Sequence, residues 1–395
     1  MWKIIVGALV AIAVGLGFAY FNASQDIRNL IANLPADRDV LFWTTPQRDA
    51  AFRVLDAIPI LSESNVIAAG DNPYPLPEGE PIRLAVDIDA YMREQRTAGL
   101  IIVQHGKVRL EKYGLGFDAS GRWTSFSVAK SVTSTLVGAA IKDGFIDSID
   151  DKVSEYIPDM RGSVYDDVSI RQLLTMTSGV RWNEDYEDRN SDVALFNEHT
   201  PEPGIDATVS YMRALSREAP AGEKWLYKTG ETNLIGVLVS SATGMSLSDY
   251  LSRKIWAPFG MEQDASWLLS NTGQEISGCC IQASTRDFAR YGLFMLNGGT
   301  VNGDPVLPAD WIAAATTRQA DIGRAGKGYG YQWWTYDDGS FAAQGIFGQG
   351  IFIDPNRSLV IASNSNWPRA TDPETVGAQR EAFYKAAQDA IDTSE

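Results

Sequence analysis

Three hydrophobic patterns divide the chain. Residues 4–21 form an unbroken run of eighteen uncharged, largely apolar positions, long enough for one helical crossing of a bilayer. Further along, residues 100–104 and 107–113 are rich in β-branched side chains and flank His105-Gly106, which predicts a hairpin. Near the C-terminus, residues 341–345, 348–353 and 358–363 predict three more strands, the last two joined by Asp354-Pro355-Asn356-Arg357. A closing helix is expected after Thr371-Asp372-Pro373-Glu374, where the proline lies just inside the cap.

Between these sheet-forming ends, residues 125–295 read mainly as helices and loops. Val132, Leu136, Ala139 and Ala140 recur at helical spacing and meet a stop at Asp143-Gly144. Sheet at both ends with helices between predicts an α/β (α+β) layer carrying a mainly helical insertion at about 125–295. Residues 22–84 combine a short helix near 47–57 with the Pro/Gly-rich tract 71–79, and are read as a stalk and N-terminal extension. The expected plan is therefore an anchor or signal segment at 1–21, the extension at 22–84 and a catalytic domain at 85–395.

Lys3 before the apolar run places the N-terminus in the cytoplasm and exports the rest. Phe21-Asn22-Ala23 fits a cleavage site poorly, so the run is read as an uncleaved transmembrane helix, with a cleaved signal as the alternative. The net charge of −16 and the lack of a Lys/Arg cluster argue against a nucleic-acid partner. Cys279 and Cys280 are adjacent, which excludes a cross-linking disulfide framework and a Cys-rich zinc site, and buried thiols are expected. Two histidines and no Gly-x-Ser-x-Gly disfavour both a metal hydrolase and a Ser-His-Asp enzyme. No metal or cofactor is implied, and oligomeric state is not legible.

The chemistry concentrates in Ser127-Val128-Ala129-Lys130. Residues at i and i+3 share a helix face, so Lys130 stands within reach of the Ser127 hydroxyl and, with its pKa lowered by burial, can take its proton. Ser127 would lie near a helix N-terminus, at the seam between sheet and helices where clefts form. Further on come Val168-Ser169-Ile170-Arg171-Gln172-Leu173-Leu174-Thr175-Met176-Thr177-Ser178-Gly179, Tyr227-Lys228-Thr229 and Tyr329-Gly330-Tyr331-Gln332-Trp333-Trp334.

Taken in order, these motifs resemble the serine β-lactamase and penicillin-binding-protein superfamily, and its class C-like branch of esterases, D-aminopeptidases and 6-aminohexanoate-dimer hydrolase. The resemblance covers roughly residues 85 to 390, with 329–334 similar to the family's aromatic strand. It implies an antiparallel sheet flanked by helices with an inserted mainly helical domain, Ser127 as nucleophile, and Lys130 and Tyr227 as proton carriers. Thr229 replaces the family's usual asparagine. Ala343-Gln344-Gly345 stands where Lys-Thr-Gly or His-x-Gly is usual; Gln344 and Gly345 would border the substrate, and the N–H groups of Ser127 and Ile346 would form the oxyanion hole. Loss of the third-motif cation argues against penicillin-type carboxylates. Trp182-Asn183-Glu184-Asp185-Tyr186 resembles the loop of the aminohexanoate-dimer hydrolase type, making Tyr186 a substrate-contact candidate, and Trp334 is expected to line the acyl pocket. The expected activity is hydrolysis of a small-molecule ester or small amide on the periplasmic side of a bacterial inner membrane. Two alternatives are D-alanyl carboxypeptidase or β-lactamase activity, and a non-catalytic protein binding cell-wall fragments.

Overall fold

The computed structural model describes residues 14, 15, 17–57 and 62–393. Its strands in chain order are β1 (Ser64–Ile67), β2 (Thr97–Gln104), β3 (Lys107–Tyr113), β4 (Trp123–Thr124), β5 (Ala265–Leu268), β6 (Ile281–Ala283) and β7 (Thr300–Val301). There follow β8 (Asp304–Pro305), β9 (Ala320–Asp321), β10 (Lys327–Tyr329), β11 (Trp334–Tyr336), β12 (Phe341–Gln344), β13 (Gly350–Asp354) and β14 (Leu359–Ser365). Eight of them form one antiparallel sheet in the order β3-β2-β14-β13-β12-β11-β10-β9, and β1-β5-β6-β4 form a smaller one. The pairing of β2 with β14 joins the two sheet-forming ends of the chain.

Strands β2, β13 and β14 carry apolar residues on both faces because both faces are covered. Ile101, Ile351 and Val360 point into a core shared with helices α1 (Val128–Lys142) and α2 (Thr229–Thr243), and with α3 (Thr285–Leu296), which lies on the sheet. Leu100, Phe352 and Ile361 point the other way, onto Phe383, Tyr384 and Ala387 of helix α4 (Val376–Asp392). A Cβ on Gly292 would stand 2.5 Å from Val360 Cγ1, so the glycine lets α3 lie close against β14. Each fully buried aliphatic side chain in these layers contributes about 1.5–3 kcal/mol.

Helix α1 is buried from Val128 to Ala140, serines and threonines included. These polar groups are satisfied by neighbouring loops: Ser131 Oγ donates to Gln332 O (2.6 Å), Thr133 Oγ1 to Ser277 O (2.8 Å) and Ser134 Oγ to Tyr331 O (2.7 Å). Leaving such groups unpaired would cost about 1–3 kcal/mol each, so the bonds fix the helix against the sheet layer.

Several expectations are corrected. The segment read as a stalk is packed into the body: Leu30, Trp43, Phe52 and Leu55 join Trp123, Phe126 and Phe347 in one apolar cluster. Arg48 fastens it, donating to Asn366 Oδ1 (2.8 Å) and to the carbonyls of Trp43, Trp367 and Pro368. Residues 329–334 do not form one strand; Gln332, at φ +63°, turns the chain between β10 and β11. The helical insertion also contains β5 and β6. Cys279 and Cys280 are joined in a vicinal disulfide rather than being thiols. Most of the apolar run at 4–21 lies outside the described residues, and among those described no single helix is long and apolar enough to cross a membrane.

Candidate active site

Strand β4 delivers the chain to the nucleophile candidate. Ser125 donates its N–H to Ile281 O (2.8 Å) and its Oγ accepts from Ile281 N (2.9 Å), tying the turn to β6. Phe126 then adopts φ +41°, a left-handed conformation unfavourable for a bulky residue. Its ring is held by Phe52 and Phe347, at centroid distances of 5.0 and 5.3 Å. Ser127 follows as the N-cap of α1.

Lys130, one turn on, is 1 % exposed. Its Nζ donates to Gly278 O (2.7 Å) and Thr229 Oγ1 (3.0 Å), and lies 5.4 Å from the centroid of the Tyr227 ring. Burial pulls its ammonium down to about 8, against the opposing charge of Glu184. The Ser127 side chain lies near enough to the Tyr227 phenol to influence its acidity. Burial first, and the Glu184 charge second, push the phenol up, while Ser127 works the other way. A neutral phenol beside a lysine that titrates near neutrality is a competent proton path. Gly278 allows the approach: a Cβ there would meet Thr229 Cγ2 at 2.9 Å and Lys130 Nζ at 3.1 Å. Asn233 Oδ1 accepts from Gly278 N (2.7 Å) and holds this backbone in place.

Glu184 is the site residue that the sequence did not single out. Its Oε2 accepts from Thr229 N (2.9 Å) and Trp182 Nε1, and its Oε1 from Tyr186 OH (2.6 Å) and Thr229 Oγ1. With four donors the carboxylate is saturated, so it organises neighbours rather than offering a free anion. Thr229, where the family has asparagine, thereby links Lys130 to Glu184. The available signal was a carboxylate flanked at i−2 and i+2 by Trp182 and Tyr186, two side chains with donors to give.

Two cavities open at this point. One of about 430 Å³ and one of about 500 Å³ share Ser127, Tyr186 and Ile346 in their walls. Tyr227, Trp334, Gln344 and Gly345 line the second. There Trp334 stacks on Tyr227 (centroids 5.6 Å apart), so it lies beside the phenol and not in the first cavity. Gln344 is engaged on both sides, donating to Tyr336 OH and accepting from Arg380 Nη2, each at 2.9 Å. A Cβ on Gly345 would stand 2.6 Å from Ser125 O, which explains the glycine beside the nucleophile turn. Ala343 is fully buried, but Lys327, Arg324 and Arg380 bring cations into the second cavity from other elements.

A buried Ser-Lys-Tyr cluster at the seam of an antiparallel sheet and a helical layer is the arrangement of a serine hydrolase of β-lactamase type. The chain belongs to the beta-lactamase family, whose sequence model matches residues 85–385. It is 30% identical over 305 residues to the 6-aminohexanoate-dimer hydrolase of Paenarthrobacter ureafaciens, covering 73% of this chain and 76% of that protein. A Bacillus anthracis structure proposed to be a 6-aminohexanoate-dimer hydrolase superposes with TM-score 0.76 at 21% identity, over 87% of this chain and 94% of that one. A class C beta-lactamase superposes with TM-score 0.56 at 16% identity, over 76% and 93%.

Proposed function

We propose that this serine hydrolase cleaves an ester or small amide through an acyl-enzyme on Ser127. Ser127 Oγ forms a bond to the substrate carbonyl while its proton passes to the Lys130–Tyr227 pair. The N–H groups of Ser127 and Ile346 hold the oxyanion. The C–O or C–N bond then breaks, Tyr227 returns the proton to the departing atom, and water, activated by the same pair, releases the acid. The observation that carries this reading is the convergence of Ser127 and Tyr227 on one cavity wall, with the buried Lys130 Nζ 5.4 Å from the centroid of the phenol ring.

The cations of the second cavity favour a second reading, in which the leaving group bears a carboxylate, as in a D-alanyl carboxypeptidase or β-lactamase. Arg380 Nε and Nη1 have no hydrogen-bond partner, and Lys327 Nζ is paired to Glu381 at 2.9 Å. A fluorophosphonate probe, followed by a panel of p-nitrophenyl esters, nitrocefin, D-amino-acid amides and aminohexanoate dimer, tests both readings. Labelling at Ser127 with ester turnover is the expected result; an unlabelled protein inert to the whole panel refutes the assignment. Export by residues 4–21, with the catalytic part outside the cytoplasm, is part of the same proposal and rests on that apolar run and Lys3.

A further inference from the structure

Tyr227 lines the second cavity and not the first. A phenol that returns the serine proton to the departing atom marks the leaving-group side, so the acyl part of the substrate extends the other way, into the first cavity. That cavity, of about 430 Å³, lies within the size range of small-molecule sites. Its walls include Val40, Leu41, Trp43 and Leu55 from the N-terminal segment, facing Phe126 and Trp182. Of the polar residues that border it, Arg38, Glu63, Asn197 and Asn271 are solvent-exposed and belong to its mouth, while Thr229 and the buried Asn233 lie with Ser127 at its inner end. Apolar walls with charges only at the mouth suit a hydrocarbon chain and, among the described residues, place no buried ion beside it; the buried polar side chain without a full set of partners is Asn233, near the Ser127 end.

Four of the apolar wall residues precede residue 85, where the match to the beta-lactamase family begins. The segment outside the family core therefore closes a cavity that opens on the nucleophile. We propose that this cavity is an acyl-chain site, that the preferred substrates carry a linear aliphatic acyl group, and that residues 40–55 set the accepted chain length. This rests on Ser127 forming the acyl-enzyme.

The test uses the full chain and p-nitrophenyl esters from acetate to decanoate. Specificity, as kcat/KM, is expected to rise by up to about fourfold per added methylene while the chain fills the cavity, then to fall. Leu41→Trp, which narrows the cavity, is expected to lower the decanoate-to-acetate ratio by about tenfold, the loss of two seated methylenes. Leu41→Ala, which widens it, is expected to move the optimum to a longer chain and keeps the test open if the tryptophan variant does not fold. Fluorophosphonate labelling of Ser127 separates the two levels of the argument. A labelled, active enzyme whose chain-length profile is flat, or is the same in the folded variants, overturns the acyl-chain site alone. A protein that the probe does not label overturns the acyl-enzyme reading and this site with it.

Discussion

Replacing Glu184 by glutamine is expected to lower both stability and turnover while moving the acid limb of the pH–rate profile to lower pH. The carboxylate accepts from Thr229 N, Thr229 Oγ1, Tyr186 OH and Trp182 Nε1. An amide keeps one acceptor oxygen, which the fixed N–H donors of Thr229 and Trp182 claim, so its NH2 faces the two hydroxyls. Thr229 Oγ1 then accepts from both Lys130 and the new amide, and its own hydrogen loses its acceptor. Hydrogen bonds to a charged group are worth roughly 1 kcal/mol more than neutral ones, which puts the loss of stability at about 2–4 kcal/mol. Loosening the Thr229–Lys130 contact by a single such bond lowers kcat on the order of tenfold. The sign of the pH effect is fixed by charge. On the proposed mechanism Lys130 must be neutral to take the serine proton, and Glu184 is the group that raises it toward its ordinary value. Without that charge the ammonium gives up its proton at lower pH, so the limb, expected near pH 8 for the native enzyme, moves down. Urea unfolding and a kcat/KM profile from pH 5 to 10, as about the useful range for a lysine so placed, decide the matter. A glutamine variant with native stability and an unmoved acid limb refutes the linkage.

Ser127→Ala and Lys130→Ala are each expected to lower kcat by on the order of 10³-fold or more, with Tyr227→Phe nearly as severe, in steady-state ester hydrolysis. Native turnover by Ser127→Ala would end the assignment. Lys130→Met is expected to be inactive, with the roughly 3 kcal/mol cost of burying the ammonium below pH 8 relieved but set against its two lost hydrogen bonds. In the native enzyme the unfolded state holds the Lys130 proton up to about pH 10.5 and the folded state only to about 8. This group therefore makes stability rise with pH between those values, a slope that chemical denaturation should show absent from the methionine variant. The full chain is expected in the membrane fraction and a form starting near Asp26 in the soluble one; full-length protein in the soluble fraction would contradict an anchor.

The hairpin of β2 and β3 and the C-terminal strands were legible because runs of β-branched residues between turn formers leave few other options. The Ser127 helix was legible for a similar reason, its apolar spacing ending at Asp143-Gly144. Strands as short as Trp123–Thr124 or Ile281–Ala283 contain no full period, so the smaller sheet left no pattern to read. The packing of the N-terminal segment was hidden by its sparse anchors. Leu30, Trp43 and Phe52 stand too far apart to share a periodicity, and Arg48, which looks like a surface residue, is buried because carbonyls from residues 366–368 receive it. Glu184 stayed unseen because its role depends on Thr229, which is 45 residues away in sequence.

The pairing of β2 with β14 has a consequence for the order of events during synthesis. Residues 97–104 leave the ribosome long before residues 359–365, yet they are neighbours in the sheet. Arg48 waits longer still, with partners 318 to 320 positions downstream. Ile346, beside Ser127 in both cavity walls, also belongs to this late-made portion. Contacts of such range form slowly, because the loop must close before any of them is gained. The turn that carries Ser127 is thus made early and its surroundings are completed late. An unfinished chain carries Ser127 and Lys130 without the wall that closes the cavities beside them, so the candidate site is assembled only once the C-terminal strands have closed on the first third of the protein.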